Sequence, residues 1–207
     1  MPQPLGLRLI VFDRTCVGRL GLGLSRVWSA GRHVYAALGR SDGACGAASF
    51  DEAFRWLETH RAGEPISEVQ LWAHGKWGCL FLDRDELNRR ALEPSHRLHR
   101  GLSALRGRMS PGALVWFRSC ETFGAAAGHD FARRLTDFFG CAAAGHTFVI
   151  GYWQSGLHRL EPGQPPGWAA NEGIARGSPD RPELASSSSP RAPNTITCFT
   201  GKVPEGW

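Results

Sequence analysis

At 207 residues, of which 42% are hydrophobic and 21% charged, the chain has enough apolar material for one full core and is cramped for two. A formal net charge of +5 allows weak attraction to polyanions, but the basic residues are scattered. Their densest group, residues 88–108, has no nucleic-acid motif with it and reads as a solvated basic face, so no specific nucleic-acid partner is expected. No run approaches the roughly eighteen apolar residues of a membrane span, and the first residues lack the pattern of a secretory leader, so the expected location is the cytoplasm, away from membrane.

The elements are taken in chain order. "LRLIVF", residues 7–12, is an apolar, β-branched run that reads as a buried strand ending at Asp13. "LGLSRVWSAG" offers Leu22, Val27 and Trp28 for one helical face, with Gly31 as a stop, and "HVYAALG" after it reads as a weaker strand. "SFDEAFRWLETH" carries a capping box, Ser49 with Glu52, before an apolar face of Phe50, Ala53, Phe54 and Leu57. Next come the strand "EVQLWAH", a hairpin around "GCLFLD", and a polar helical region within residues 84–108. Residues 109–112 break the chain ahead of the strand "ALVWFR". From Thr122 the spacing predicts a helix with Ala127, Phe131, Leu135, Phe138 and Phe139 on one side and Gly140 at its end. Gly124 and Gly128 on that helix would allow a close approach to a sheet. "HTFVIG", residues 146–151, reads as a further strand.

This alternation implies an α/β protein, a three-layer α/β/α sandwich around a mainly parallel sheet. Residues 1–157 form its core. Residues 158–207, rich in Pro, Gly and Ser, read as long loops of the same domain, with "TITCFTG" returning as an edge strand.

Six cysteines (16, 45, 79, 120, 141 and 198) lie far apart with no C-x-x-C pair, which reads as free thiols, most of them small apolar core residues. Cys120 differs. In "VQLWAHGKWG" and "ALVWFRSCETFG", residues 69–78 and 113–124, two apolar strands stop at His74 and at Cys120, side chains able to do chemistry. In an open parallel sheet such residues gather at the carboxyl edge. There an imidazole and a helix N-terminus would assist a thiol nucleophile, and the N–H groups of Gly75 and Cys120 would face a substrate oxyanion. Glu121, at a helix start, is expected to point outward. His74, Cys79, His129, Cys141 and His146 have no zinc-site spacing, so no metal is expected. Trp153 stands where a serine nucleophile elbow at Ser155 needs Gly, and Ala126 stands where a cysteine phosphatase needs Arg.

The order and spacing of these residues resemble the caspase-like cysteine peptidases, the group that includes metacaspases, gingipains, legumain and separase. In that group one strand ends in His-Gly and the next core strand in the nucleophilic cysteine, as "LWAHG" and "VWFRSC" do here. The chain looks closest to a bacterial family of uncharacterised caspase-like domains, through His74, Gly75, Gly78, Leu80 and Leu82, then Cys120, Gly128, Phe131, Leu135 and Gly140. The likeness runs from residue 7 to about residue 153 and leaves the Pro/Ser-rich tail uncovered. It implies a caspase-like fold and a cysteine endopeptidase with Cys120 as nucleophile, His74 as acid/base group and no cofactor, acting on a protein or peptide. It also implies that the end of the first strand helps to form the pocket for the residue before the scissile bond. An unpaired Asp13 there would favour Arg or Lys. Arg118, which stands where metacaspases carry an acidic residue, or Arg14 would instead neutralise it, and Asp13 as a solvated strand end is the plain alternative. Trp153 and Trp168 would either wall the substrate cleft or plug the core under a long loop. Two other functions fit the same residues: an inactive caspase-like interaction module, and another cysteine hydrolase or acyltransferase on the same frame. The residues do not specify the oligomeric state.

Overall fold

The computed structural model describes residues 6–18 and 23–207. In chain order its elements are β1 (Leu7–Asp13), α1 (Leu24–Ala37), β2 (Gly43–Ala47), α2 (Phe50–Thr59), β3 (Ile66–Trp72), β4 (His74–Lys76), β5 (Cys79–Leu82) and β6 (Asp85–Asn88). A short 3-10 turn (Arg89–Leu92) leads to α3 (His99–Arg108), β7 (Met109–Arg118), α4 (Ala125–Phe139), β8 (Ala142–His146), β9 (Trp153–Gln154) and β10 (Leu157–Leu160). The tail adds β11 (Ile174–Ser178), β12 (Arg181–Ala185) and β13 (Ile196–Thr197).

Six strands form the central sheet in the order β10-β8-β7-β3-β1-β2, all parallel except β10, which runs antiparallel to β8. Strand alternation sorts the side chains to two faces. Leu9, Val11, Val69, Leu71, Val115 and Phe117 point to one face, where the apolar sides of α2, α3 and α4 cover them. Ile10, Phe12 and Trp72 point to the other and meet Tyr35 and Trp28 of α1. Further along that second face, Leu114 and Trp116 pack against Ile196, Val203 and Trp207. The tail thus covers the part of the sheet that α1 does not reach.

The α/β reading with its mainly parallel sheet agrees with this fold, while several elements differ. Helix α1 runs straight through Gly31 and takes in most of "HVYAALG", because Gly31 is a packing surface and not a stop. A Cβ there would stand 3.1 Å from the Trp72 ring. The second strand is instead "GACGA", too short and glycine-rich to announce itself. Residues 109–112 belong to β7, which follows α3 without a break. Strand β8 is "AAAGH" and not "HTFVIG", since the Phe123 ring lies over Gly145, whose missing Cβ would be 2.6 Å from it. "TITCFTG" contributes only β13, which pairs with β9 in a separate two-stranded ribbon, and the sheet edge is β10. Residues 174–185 form a hairpin where the sequence reads as loop. Leu22 lies outside the described residues. Among the described residues no helix is long and apolar enough to cross a membrane.

Candidate active site

Strands β3 and β7 are parallel neighbours in which Trp72 pairs with Arg118. His74 and Cys120 each stand two residues beyond that paired row, so they leave the sheet at the same level of its carboxyl edge. The loops then touch. A Cβ on Gly75 would lie 2.6 Å from the Cys120 carbonyl oxygen and 2.3 Å from Thr122 Oγ1, contacts that only glycine avoids. The Gly78 N–H donates to the Thr122 carbonyl at 2.9 Å, tying the β4–β5 turn to the same loop. His74 and Cys120 both line one cleft of about 570 Å³, together with Gly31, Trp72, Arg118 and Gln154. The edge also carries the switch in strand order, with β2 on one side of β1 and β3 on the other. Ligands of open α/β sheets bind at such points.

The environment of Cys120 is not that of a preformed thiolate. Helix α4 begins at Ala125 with Gly124 as N-cap, further from Cys120 than the helix expected from Thr122, which weakens any help from its dipole. The cysteine is partly buried, and its sulfur accepts the Ile150 N–H at 3.4 Å. Burial pushes the thiol up, which the N–H groups of Ile150 and of Cys120 itself only partly oppose, and the Glu121 charge adds to the rise. Glu121 does not point outward as expected. It is buried in a left-handed conformation (φ 46°), its Oε2 has no hydrogen-bond partner, and burial raises its carboxyl while Lys76 acts against that.

The thiol in direct contact with His74 is Cys16, to which the sequence alone gives no role in the site. Its Sγ lies 3.2 Å from His74 Nε2, with the donor set by the imidazole tautomer, and the Trp28 ring meets the imidazole edge-on at 5.9 Å. Cys16 follows β1 by three residues, so the loop at the switch point delivers it. Cysteine type and a place just after the first strand were its only signals.

The proposed specificity residues separate. Asp13 is buried and outside the cleft, its Oδ1 accepting both the backbone N–H and the hydroxyl of Thr15 at 2.7 Å. It is therefore neither a solvated strand end nor paired with Arg14, which bonds Glu52 at 3.0 Å. Arg118 does line the cleft, fully buried, with Nε and Nη2 donating to Gln154 Oε1, Nη2 to the Cys198 carbonyl, and Nη1 to Tyr35 and the Thr200 carbonyl. Trp153 faces away in β9, and its neighbour Tyr152 takes the place in the cleft. Trp168 is a core plug, stacked on Phe123 and donating to the Phe123 carbonyl at 3.1 Å. Tyr35, Ile150, Tyr152 and Phe199 are cleft residues with no local motif, brought in by α1, the β8–β9 connection and the tail. Among the described residues, no three His, Cys, Asp or Glu side chains converge on a metal-sized site. The chain matches no family model, and no curated protein matches it in sequence.

Proposed function

We propose that the protein is a caspase-like thiol hydrolase that cleaves an acyl bond, most simply a peptide bond, with Cys120 as nucleophile and His74 as general acid and base. The observation that carries this reading is the contact of the two loops at Gly75, which brings a histidine and a cysteine from adjacent strands to one cleft. Because burial keeps the thiol protonated, the proton leaves as the bond forms. His74 accepts the Cys120 proton while the sulfur attacks the substrate carbonyl carbon, and backbone N–H groups of the two loops receive the negative oxygen. Collapse expels the leaving amine, which takes its proton from His74 and leaves an acyl thioester on Cys120. His74 then takes a proton from water as the water oxygen attacks the thioester carbon, and collapse breaks the carbon–sulfur bond, the Cys120 sulfur regaining its proton from His74 as the carboxylic acid departs.

Hydrolysis of a mixed peptide library tests this. Cys120→Ala and His74→Ala are expected to lower turnover by about a hundredfold or more in chains that keep wild-type circular dichroism. Unchanged turnover in either variant would overturn the reading. The Cys16 contact favours a second reading, in which Cys16 and His74 form the working pair. Cys16→Ser then abolishes turnover and Cys120→Ala does not.

A further inference from the structure

The cleft holds more chemistry than a cysteine and an imidazole. We infer that it is a subsite for a large uncharged side chain, aromatic or branched aliphatic, on the acyl part of the substrate, and that it rejects basic side chains. The inference rests on the thiol hydrolase reading for its orientation toward Cys120, though not for its chemistry. Its walls include Trp28, Tyr35, Trp72, Ile150, Tyr152 and Phe199. Three apolar side chains that line it stay well exposed, Val27 at 63%, Tyr152 at 56% and Phe199 at 52%, so covering them with a ligand removes apolar surface from water. A volume of about 570 Å³ sits within the range of small-molecule sites, about 300–1,000 Å³.

Charge settles the class further. Among the described residues no carboxylate lines the cleft, and the candidate for that part, Asp13, is buried elsewhere on Thr15. The permanent charge on its wall is the Arg118 guanidinium, which among the described residues no carboxylate meets within 4 Å, Glu68 of β3 acting on it only from further off, and which repels an ammonium or a second guanidinium. An acidic side chain fares little better. The Arg118 N–H groups are already given to Gln154, Tyr35 and the carbonyls of Cys198 and Thr200, so a carboxylate would lose its water without gaining a donor. A neutral apolar group meets neither cost.

The test uses the full chain with Cys120→Ala and four N-acetyl tripeptide amides that differ only in a last residue of Phe, Leu, Lys or Asp. Binding is read from tryptophan fluorescence, since Trp28 and Trp72 line the cleft. The Phe and Leu peptides are expected to bind about tenfold tighter than the Lys and Asp peptides. Val27→Asp, at a helix position 63% exposed and checked for wild-type circular dichroism, should narrow the gap for Lys. A Lys peptide that binds as tightly as Phe, or no binding by any peptide, overturns the inference. The same four sequences as chloromethyl ketones on wild-type protein separate it from the catalytic reading. Apolar binding without capture of Cys120 leaves the subsite and removes the nucleophile, whereas fastest capture by the Lys reagent keeps the nucleophile and removes the subsite.

Discussion

Three residues at the carboxyl edge, Gly75, Cys120 and Arg118, show how single side chains set the site. Gly75 is where sterics decide most, because any side chain would meet the Cys120 carbonyl and Thr122 Oγ1 well inside van der Waals contact. Gly75→Ala should therefore lower turnover at least about tenfold by parting the two loops, since a misplacement of roughly 1 Å can cost about a hundredfold in rate. Full activity in this variant would show that the loop contact is incidental. Cys120 itself should behave as a buried thiol: its alkylation should inflect above the ordinary value of about 8.5, because desolvation opposes the thiolate. Iodoacetamide rates against pH, read by peptide mass spectrometry, check this, and an inflection below 8.5 would mean that the resting site stabilises the anion. Arg118 holds the tail to the sheet through the Cys198 and Thr200 carbonyls. Arg118→Ala takes both donors from the buried Gln154 Oε1 and leaves the Tyr35 hydroxyl alone to serve the two carbonyls, so it should cost about 3 kcal/mol or more in urea unfolding.

Among the elements, those with local signals were legible and those defined by partners were not. The capping box is present, with the Glu52 N–H donating to Ser49 Oγ at 3.3 Å, although Glu52 Oε2 reaches back to the Ala48 N–H and not to that of Ser49. Ser49→Ala should lower stability by about 1 kcal/mol, measured by thermal unfolding, and no change would mean that tertiary packing alone fixes the start of α2. Gly140, in the left-handed conformation, ends α4 as its sequence indicates. Helix α1 departs from its local signals because Gly31 is a stop signal in isolation and a contact with Trp72 in the fold. For β8, the β-branched run lost to a run of alanines and a glycine that fit beneath Phe123. The same division holds in the site. His74, Gly75 and Cys120 stand at strand ends and could be read from the sequence, but Cys16, Tyr35, Tyr152 and Phe199 are joined to them only by long-range topology.

Over the whole molecule, the tail takes the place of a second helix beside α1, and a histidine buried at the end of β8 makes the fold sensitive to acid. His146, at the end of β8, is fully buried, with its Nδ1 3.1 Å from the Ser155 carbonyl and its Nε2 without a partner. Burial pushes its pKa down to about 3 from 6.5, the Ser155 bond opposing this and the Arg118 charge adding to it. The folded value is below the unfolded one, so the unfolded chain binds a proton that the fold refuses. The contribution of His146 to stability is complete above about pH 6.5 and falls as pH drops toward 3. Denaturant unfolding at pH 7 and pH 4.5 should show a loss of up to about 1.4 kcal/mol per pH unit from this group, a slope that His146→Gln removes. An unchanged slope in the variant would assign the acid sensitivity to other groups.

The central claim is that Cys120 attacks with the help of His74, and covalent capture tests it most directly. Full-length protein is treated with the Phe chloromethyl ketone, digested, and the modified cysteine identified by mass spectrometry in wild type, His74→Ala and Cys16→Ser. The account expects the label on Cys120, formed much more slowly without His74 and at nearly the wild-type rate without Cys16. A label on Cys16, or one on Cys120 that forms equally fast without His74, would contradict it.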